Sequence, residues 1–148
     1  MMTSTLAPLE VGQVAPDFTL RDQNGVAVSL AELTAHKNVV VVFYPFAFSG
    51  ICTGELDEIR DHLERFVSDD LQVVCVSCDP MFSLRAWADA QGYFFPLLSD
   101  YWPHGEVTRA PGQRRAERHV LFEPAAPLQQ PLRLRLVLPE IWAADARF

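Results

Sequence analysis

Asn38 to Tyr44, NVVVVFY, is apolar at almost every position and rich in β-branched residues. That is the pattern of a strand covered on both faces. Leu71 to Ser77, LQVVCVS, repeats it. Between them Leu56, Ile59, Leu63 and Phe66 recur at helical spacing, with Asp57, Glu58, Arg60, Asp61 and Glu64 filling the other positions. This predicts an amphipathic helix of about four turns. Ser83 to Gln91 reads as a second helix, closed by Gly92. Upstream, APDFTL, RDQNG and VAVSLAEL predict a β-hairpin, with Asn24-Gly25 suited to a tight turn that needs positive φ. FFPLLSD adds a short strand or extended run, which Pro96 limits to an edge or a bulge. Helices thus alternate with buried strands, and the fold class is α/β with a central sheet flanked by helices and an N-terminal β-hairpin.

The last third is less regular. Gly105 to Arg118 is rich in Arg, Pro and Gly without a clear period. His119 to Glu123 predicts a strand. Leu132 to Leu138, LRLRLVL, alternates and predicts another, half buried, with Arg133 and Arg135 on its wet face. The two would pair as an antiparallel hairpin across a long Pro-rich turn. The final EIWAADARF is at most two helical turns. Residues 1–148 are read as a single domain, long enough to bury a core.

Composition narrows the setting. An apolar share of 49% with 21% charge fits a soluble globular chain and excludes a disordered one. The longest apolar run, Val39 to Phe48, is too short to span a membrane. The start, MMTSTLAPLE, lacks the basic and apolar parts of a signal peptide and reads as a loose arm. Three scattered cysteines make no disulfide framework, so a reducing, cytoplasmic setting is expected. Residues 1–107 carry five Lys/Arg against fifteen Asp/Glu, a net −10, while residues 108–148 carry seven against four, +3. A chain of net charge −7 disfavours nucleic acid as a partner.

The candidate chemistry lies in residues 44–55, YPFAFSGICTGE, between the first buried strand and the amphipathic helix. Only a thiolate is a good nucleophile, and a helix N-terminus, with unpaired N–H groups and partial positive charge, favours that form. Cys52 stands where the helix should begin. Ser49, three residues earlier, offers a hydroxyl to the sulfur or to a bound oxygen, and Pro45 fixes the approach of the loop. Physics alone leaves the other reading open, a buried cysteine acting as a small hydrophobe.

Pro45-x-x-x-Ser49-x-x-Cys52 resembles the P-x-x-x-(T/S)-x-x-C signature of the peroxiredoxins, thiol peroxidases on a thioredoxin-like fold with a mixed sheet. GQVAPDFTLRDQNG, VVVFYPFAFSGICTGEL, VSCDP and FPLLSDYWPHG extend the likeness, toward the one-cysteine alkyl hydroperoxide reductase E group of actinobacteria, over roughly residues 10–110. The resemblance implies that Cys52 is the peroxidatic cysteine, which attacks a hydroperoxide and becomes sulfenic acid. Ser49 and the Cys52 N–H would hold the peroxide oxygens, and Pro45 would limit water. Glu55 would help bind or position the active-site arginine. Ser49 in place of the commoner Thr keeps the hydroxyl and loses a methyl.

The match breaks further on. In the group this chain resembles, the active-site arginine opens a strand reading roughly R-G-T-F-V-(I/V)-D. Arg118 in RHVLFEP is the best candidate here and requires a deletion before it; Arg114 and Arg115 are the alternatives. The usual long C-terminal helix is replaced by WAADARF. A frameshift or truncation of the reading frame produces such a change, with its abrupt rise in Arg and Pro.

Cys75 and Cys78 have C-x-x-C spacing, but strand positions three apart point to opposite faces. Cys75 is expected in the core and Cys78 at the strand's end, where a resolving role is conceivable. Asp57 stands where another peroxiredoxin group keeps its resolving cysteine. The scattered histidines offer no zinc set. Phe46, Phe48 and Phe82 are read as core, with an apolar collar for organic hydroperoxides as the alternative. Trp102, Pro103 and His104 are read as a loop at the pocket rim or a dimer contact, or as a surface loop with a partly buried Trp.

The expected activity is a one-cysteine, thiol-dependent peroxidase with no metal or organic cofactor. It would be regenerated by a low-molecular-weight thiol or a glutaredoxin- or thioredoxin-like protein and would act as a homodimer, with neither nucleic acid nor membrane as partner. The alternative is a catalytically impaired thioredoxin-like binding or sensing module. A disulfide oxidoreductase would need C-x-x-C at the helix start, where this chain has Ser49-Gly50-Ile51-Cys52.

Overall fold

The structure, a computed structural model, describes residues 17–44, 46–102, 105–109, 119–123 and 133–137. These include strands β1 (Thr19–Arg21), β2 (Ala27–Ser29), β3 (Asn38–Phe43), β4 (Leu71–Ser77), β5 (Leu97–Ser99), β6 (His119–Glu123) and β7 (Arg133–Val137). Among the described residues they form one seven-stranded sheet in the order β2-β1-β5-β4-β3-β6-β7. The central β3, β4 and β5 run parallel, with Val42 beside Cys75 and Cys75 beside Leu97. The flanking β1 and β6 pair antiparallel to β5 and β3, so the sheet is mixed. Helices α1 (Leu30–Thr34), α2 (Gly50–Asp61), α3 (Met81–Gln91) and α4 (Glu106–Arg109) complete the described elements.

The all-apolar strands are buried on both faces. Val40 and Val42 of β3 join Val73 and Cys75 of β4 in one cluster, with Leu56 and Ile59 of α2 and Leu84 and Trp87 of α3. Val39, Val41 and Phe43 point the other way and meet Val74, Val76, Leu98 and Leu30 of α1. Leu56 and Ile59 are fully buried, and each contributes roughly 1.5–3 kcal/mol to seating α2 on the sheet.

Several expectations need correction. The segment after the hairpin turn is not all strand: β2 ends at Ser29, whose hydroxyl accepts from Glu32 N–H at 3.3 Å and caps α1. The alternation of VAVSLAEL concealed this start signal, a Ser with a Glu three residues on. In the turn itself only Gly25 has positive φ, at 80°, and the Asp22 carboxylate accepts from the N–H groups of Asn24 and Val26. Pro96 does not make β5 an edge. The strand starts one residue later and lies between β1 and β4, while the Pro96 carbonyl accepts from Cys75 N–H at 3.0 Å. The amphipathic stretch breaks at His62, and Leu63–Arg65 continue as a 3₁₀ turn. A short helix, α4, occupies residues read as irregular.

Strands β6 and β7 pair antiparallel as expected. The turn between them and the final EIWAADARF lie outside the described residues, and so do Pro103 and His104.

Gly92 ends α3 in the left-handed region at φ 74°, its N–H donating to the Ala88 carbonyl at 2.8 Å. A Cβ there would meet nothing closer than the Arg60 side chain at 3.9 Å, so the cost of Gly92→Ala is conformational. The substitution is expected to lower stability by about 1 kcal/mol, read as a shift of the urea midpoint at constant slope.

Candidate active site

Parallel β3, β4 and β5 end at the same edge of the sheet, and the reactive loop leaves from there. Tyr44 N–H still donates to the Val76 carbonyl at 3.1 Å, beyond the end of β3. The chain then turns sharply. Phe48 lies at φ 65°, a left-handed conformation that costs a bulky residue about 1–3 kcal/mol and is found mainly at functional sites. Its ring lies 6.0 Å from that of Trp87. Ser49 follows as N-cap of α2.

The first intrahelical bond of α2 runs from Thr53 N–H to the Ser49 carbonyl at 2.8 Å, and the Thr53 hydroxyl donates to the same oxygen at 2.8 Å. Helix geometry therefore leaves the N–H groups of Gly50, Ile51 and Cys52 without intrahelical acceptors. An N-cap serine normally accepts from one of them, but Ser49 makes no such side-chain bond. Among the described residues, its hydroxyl and the first-turn N–H groups are thus left for another partner. No carboxylate lies in the first turn to compete for that positive end.

Cys52 is the third residue of α2 and is 1% exposed, packed in the cluster of Val42, Tyr44 and Leu56. The two readings of this cysteine turn out to be compatible. The thiol is at once part of the apolar core and at the N-terminus of a twelve-residue helix.

Glu55 lies one turn along α2, half-buried, and its charge reaches Cys75 across the helix–sheet contact. Pro45 and Arg118, with Arg114 and Arg115, lie outside the described residues. Cys75 is buried in β4, and Cys78 is exposed one residue past its end, as their positions predicted. Asp57 accepts from the Tyr93 hydroxyl at 2.7 Å and from Arg60 Nη1 at 3.0 Å, while the same Arg60 nitrogen donates to the Gln91 carbonyl at 2.8 Å. The position five residues beyond Cys52 thus fastens α2 to the end of α3.

The reading of Phe46, Phe48 and Phe82 as core was wrong. Phe46, Phe48 and Phe82 are 66%, 60% and 74% exposed, and Trp102 is exposed with them. They sit on loops and at a helix start, where no described residue covers them. The pattern along the chain also did not single out Asp79. Its Oδ2 accepts from Ala47 N–H at 2.8 Å and from the Ser77 hydroxyl at 2.8 Å. Thirty-two positions separate Asp79 from Ala47, so no local spacing marks the pair.

Burial pushes the Cys75 thiol well up, and the Glu55 charge adds to the effect. Burial also pushes the Tyr44 phenol up, with the neighbouring Ser77 hydroxyl opposing it. The Ser77 proton goes to Asp79, and the Tyr44 hydroxyl has no hydrogen-bond partner among the described residues. Both groups stay neutral in the folded chain, whereas unfolded thiols ionise near about pH 8.5 and phenols near about pH 10. Their contribution is therefore complete below the unfolded values and is lost as pH rises through them. Above about pH 8.5 stability should fall by up to roughly 1.4 kcal/mol per pH unit for each ionising group. Urea midpoints measured from neutral to alkaline pH check the sign, and Cys75→Ala should flatten the first part of the decline.

A cysteine at the N-terminus of the helix that follows a central parallel strand defines a thiol protein of the thioredoxin-like α/β fold. The solved structures agree. Peroxidoxin BcpB of Mycobacterium tuberculosis superimposes with a TM-score of 0.73 at 26% identity, over 93% of this chain and 94% of that one. The reduced 2-Cys peroxiredoxin of Plasmodium vivax has a TM-score of 0.69 at 21% identity, over 86% and 85%, and speaks to the fold alone. In sequence, residues 11–134 match the AhpC/TSA family. The alkyl hydroperoxide reductase E of Mycobacterium tuberculosis is 53% identical over 104 residues, 70% of this chain and 68% of that protein. Peroxiredoxin bcp1 of Schizosaccharomyces pombe is 33% identical over 77% of this chain and 57% of its own length. The chain belongs to the AhpC/TSA family, in its alkyl hydroperoxide reductase E-like group of peroxiredoxins.

Proposed function

We propose that this chain is a thiol-dependent peroxidase whose nucleophile is Cys52. The family and its relatives named peroxiredoxin and alkyl hydroperoxide reductase carry the class of reaction, a hydroperoxide reduced at the expense of a thiol. The observation that carries the residue is the first turn of α2. There Cys52 shares the helix N-terminus with a Ser49 hydroxyl not spent on capping.

The Cys52 thiolate attacks the terminal oxygen of ROOH. An S–O bond forms as the O–O bond breaks, and the leaving alkoxide takes a proton to become ROH. Cys52 is left as sulfenic acid. The Ser49 hydroxyl and the Cys52 N–H stabilise the charge that develops on the peroxide oxygens, and Arg118 would add a cation. One external thiol then displaces water to form a mixed disulfide, and a second releases Cys52 as the external disulfide leaves. The whole consumes ROOH and two thiols and yields ROH, water and a disulfide.

The one-cysteine route is supported by the full burial of Cys75 and by Asp57, tied to Tyr93 and Arg60, at the position where another group keeps its resolving thiol. Three cysteines outside any disulfide suit a reducing, cytoplasmic setting. Exposed Phe46, Phe48, Phe82 and Trp102 beside the strand ends suit a homodimer face, which sedimentation equilibrium would test. For the cycle itself, the test is turnover of hydrogen peroxide and an alkyl hydroperoxide with a small thiol as reductant. Cys78→Ser should turn over at the wild-type rate, and oxidised protein should contain no intrachain disulfide. Loss of turnover in Cys78→Ser would replace the one-cysteine route by a resolving role for that residue.

A further inference from the structure

We propose that Asp79 is a positioning residue for the peroxide-reducing loop, the point from which the Ser49 hydroxyl and Cys52 are held in register. The inference rests on the reading of Cys52 as nucleophile and adds a residue to it. Asp79 stands between β4 and α3 and bonds to three chain segments at once. Its Oδ2 accepts from Ala47 N–H at 2.8 Å, in the loop that follows β3. The same oxygen accepts from the Ser77 hydroxyl at 2.8 Å, at the end of β4. Its carbonyl accepts from the Ser99 hydroxyl at 2.6 Å, at the end of β5. Ser77 in turn accepts at its carbonyl from Asp100 N–H at 2.8 Å. The carboxylate thereby ties the loop after β3 to the end of β4, and the backbone carbonyl of the same residue ties in the end of β5.

What this fastening controls follows from the order of residues. Ala47 is held by the carboxylate, Phe48 is in the left-handed conformation, Ser49 caps α2, and Cys52 sits in its first turn. A strained residue persists only where its surroundings over-determine it. Here the two restraints are the Asp79 bond on one side of Phe48 and the Trp87 contact of its own ring. Without the carboxylate, Phe48 relaxes toward an ordinary conformation and carries Ser49 with it. Attack on a peroxide needs sulfur, hydroxyl and N–H placed together, whereas alkylation by a small halide needs only the sulfur. The two reactions should therefore respond differently to Asp79.

The experiment compares wild type with Asp79→Ala, Asp79→Asn and Asp79→Glu. Three readouts are followed: single-turnover reaction of reduced protein with hydrogen peroxide, iodoacetamide labelling mapped at Cys52, and amide exchange at Ala47. Asp79→Ala should slow peroxide reaction by about 10–100-fold, the scale of a misplacement near 1 Å, with alkylation nearly unchanged and Ala47 exchange faster. Asn keeps an acceptor oxygen in the Oδ2 position and should recover most of the rate. Glu keeps the charge but moves the acceptor by one methylene. It guards against a misfolded Ala variant and should still lose about tenfold. A wild-type peroxide rate in both Ala and Glu variants overturns the proposal. So does a parallel fall of peroxide reaction and alkylation, which would mean general loss of structure. Cys52→Ser, run alongside, separates the two claims: if it still consumes peroxide, the nucleophile is wrong, whatever Asp79 does.

Discussion

Cys52→Ser is expected to reduce peroxide consumption by more than about a thousandfold, to the level of a protein without the activity. The hydroxyl of serine has nearly the same shape as the thiol but is a far weaker nucleophile. The helix should survive the change, because Leu56 and Ile59 hold it to the sheet and the cap is built from the Ser49 carbonyl. Cys75→Ser and Cys78→Ser are the controls. Cys75 is fully buried and kept protonated, and Cys78 is exposed outside the helix, so both should keep most of the peroxide rate. Stopped-flow decay of hydrogen peroxide on the four proteins reads the result. A Cys52→Ser protein of full activity would refute the assignment.

The second large effect concerns Trp87, the centre of the aromatic cluster under the reactive loop. Its ring lies 5.5 Å from Tyr44, 6.0 Å from Phe48 and 5.1 Å from Tyr93, the last edge-on, and Tyr93 continues to Phe95 at 5.3 Å. Trp87 is fully buried. Trp87→Ala should cost about 3–5 kcal/mol through lost contacts and a cavity that the sheet cannot close. The thermal midpoint should fall by roughly 10 °C. Phe48 also loses the surface that supports its left-handed backbone, so the peroxide rate should fall with stability. The indole N–H is buried without a partner among the described residues, so the ring's worth lies in packing alone. Calorimetry tests the magnitude; a shift of only a degree or two would show that the cluster is not a structural centre.

The parts of the fold that depend on near neighbours were legible from the chain. Val39 to Phe43 announce a strand covered on both faces, and their alternate burial against two separate clusters follows. Gly92 announces the end of α3 because only a left-handed residue closes that turn. The spacing from Ser49 to Cys52 was legible for the same reason, since both fall within one helical turn. Features set by distant contacts were not. Leu30 to Leu33 follow the hairpin strand with no Gly or Pro between them, and the Ser29 cap decides for helix only when read as a start signal. Hydrophobicity says that Phe46 and Phe82 favour burial, but not that they stand on a loop and at a helix start where the described residues leave them exposed. Asp79 reads as an ordinary turn residue until β3, β4 and β5 bring Ala47, Ser77 and Ser99 around it.

The most direct measurement of the central claim is the site of oxidation. Reduced protein is mixed with one equivalent of hydrogen peroxide, sulfenic acid is trapped with dimedone, and the adduct is mapped by peptide mass spectrometry. The account predicts a single peroxide-dependent adduct on Cys52, formed as fast as peroxide disappears and absent from Cys75 and Cys78. An adduct confined to the exposed Cys78, or peroxide consumed with Cys52 unmodified, would contradict it.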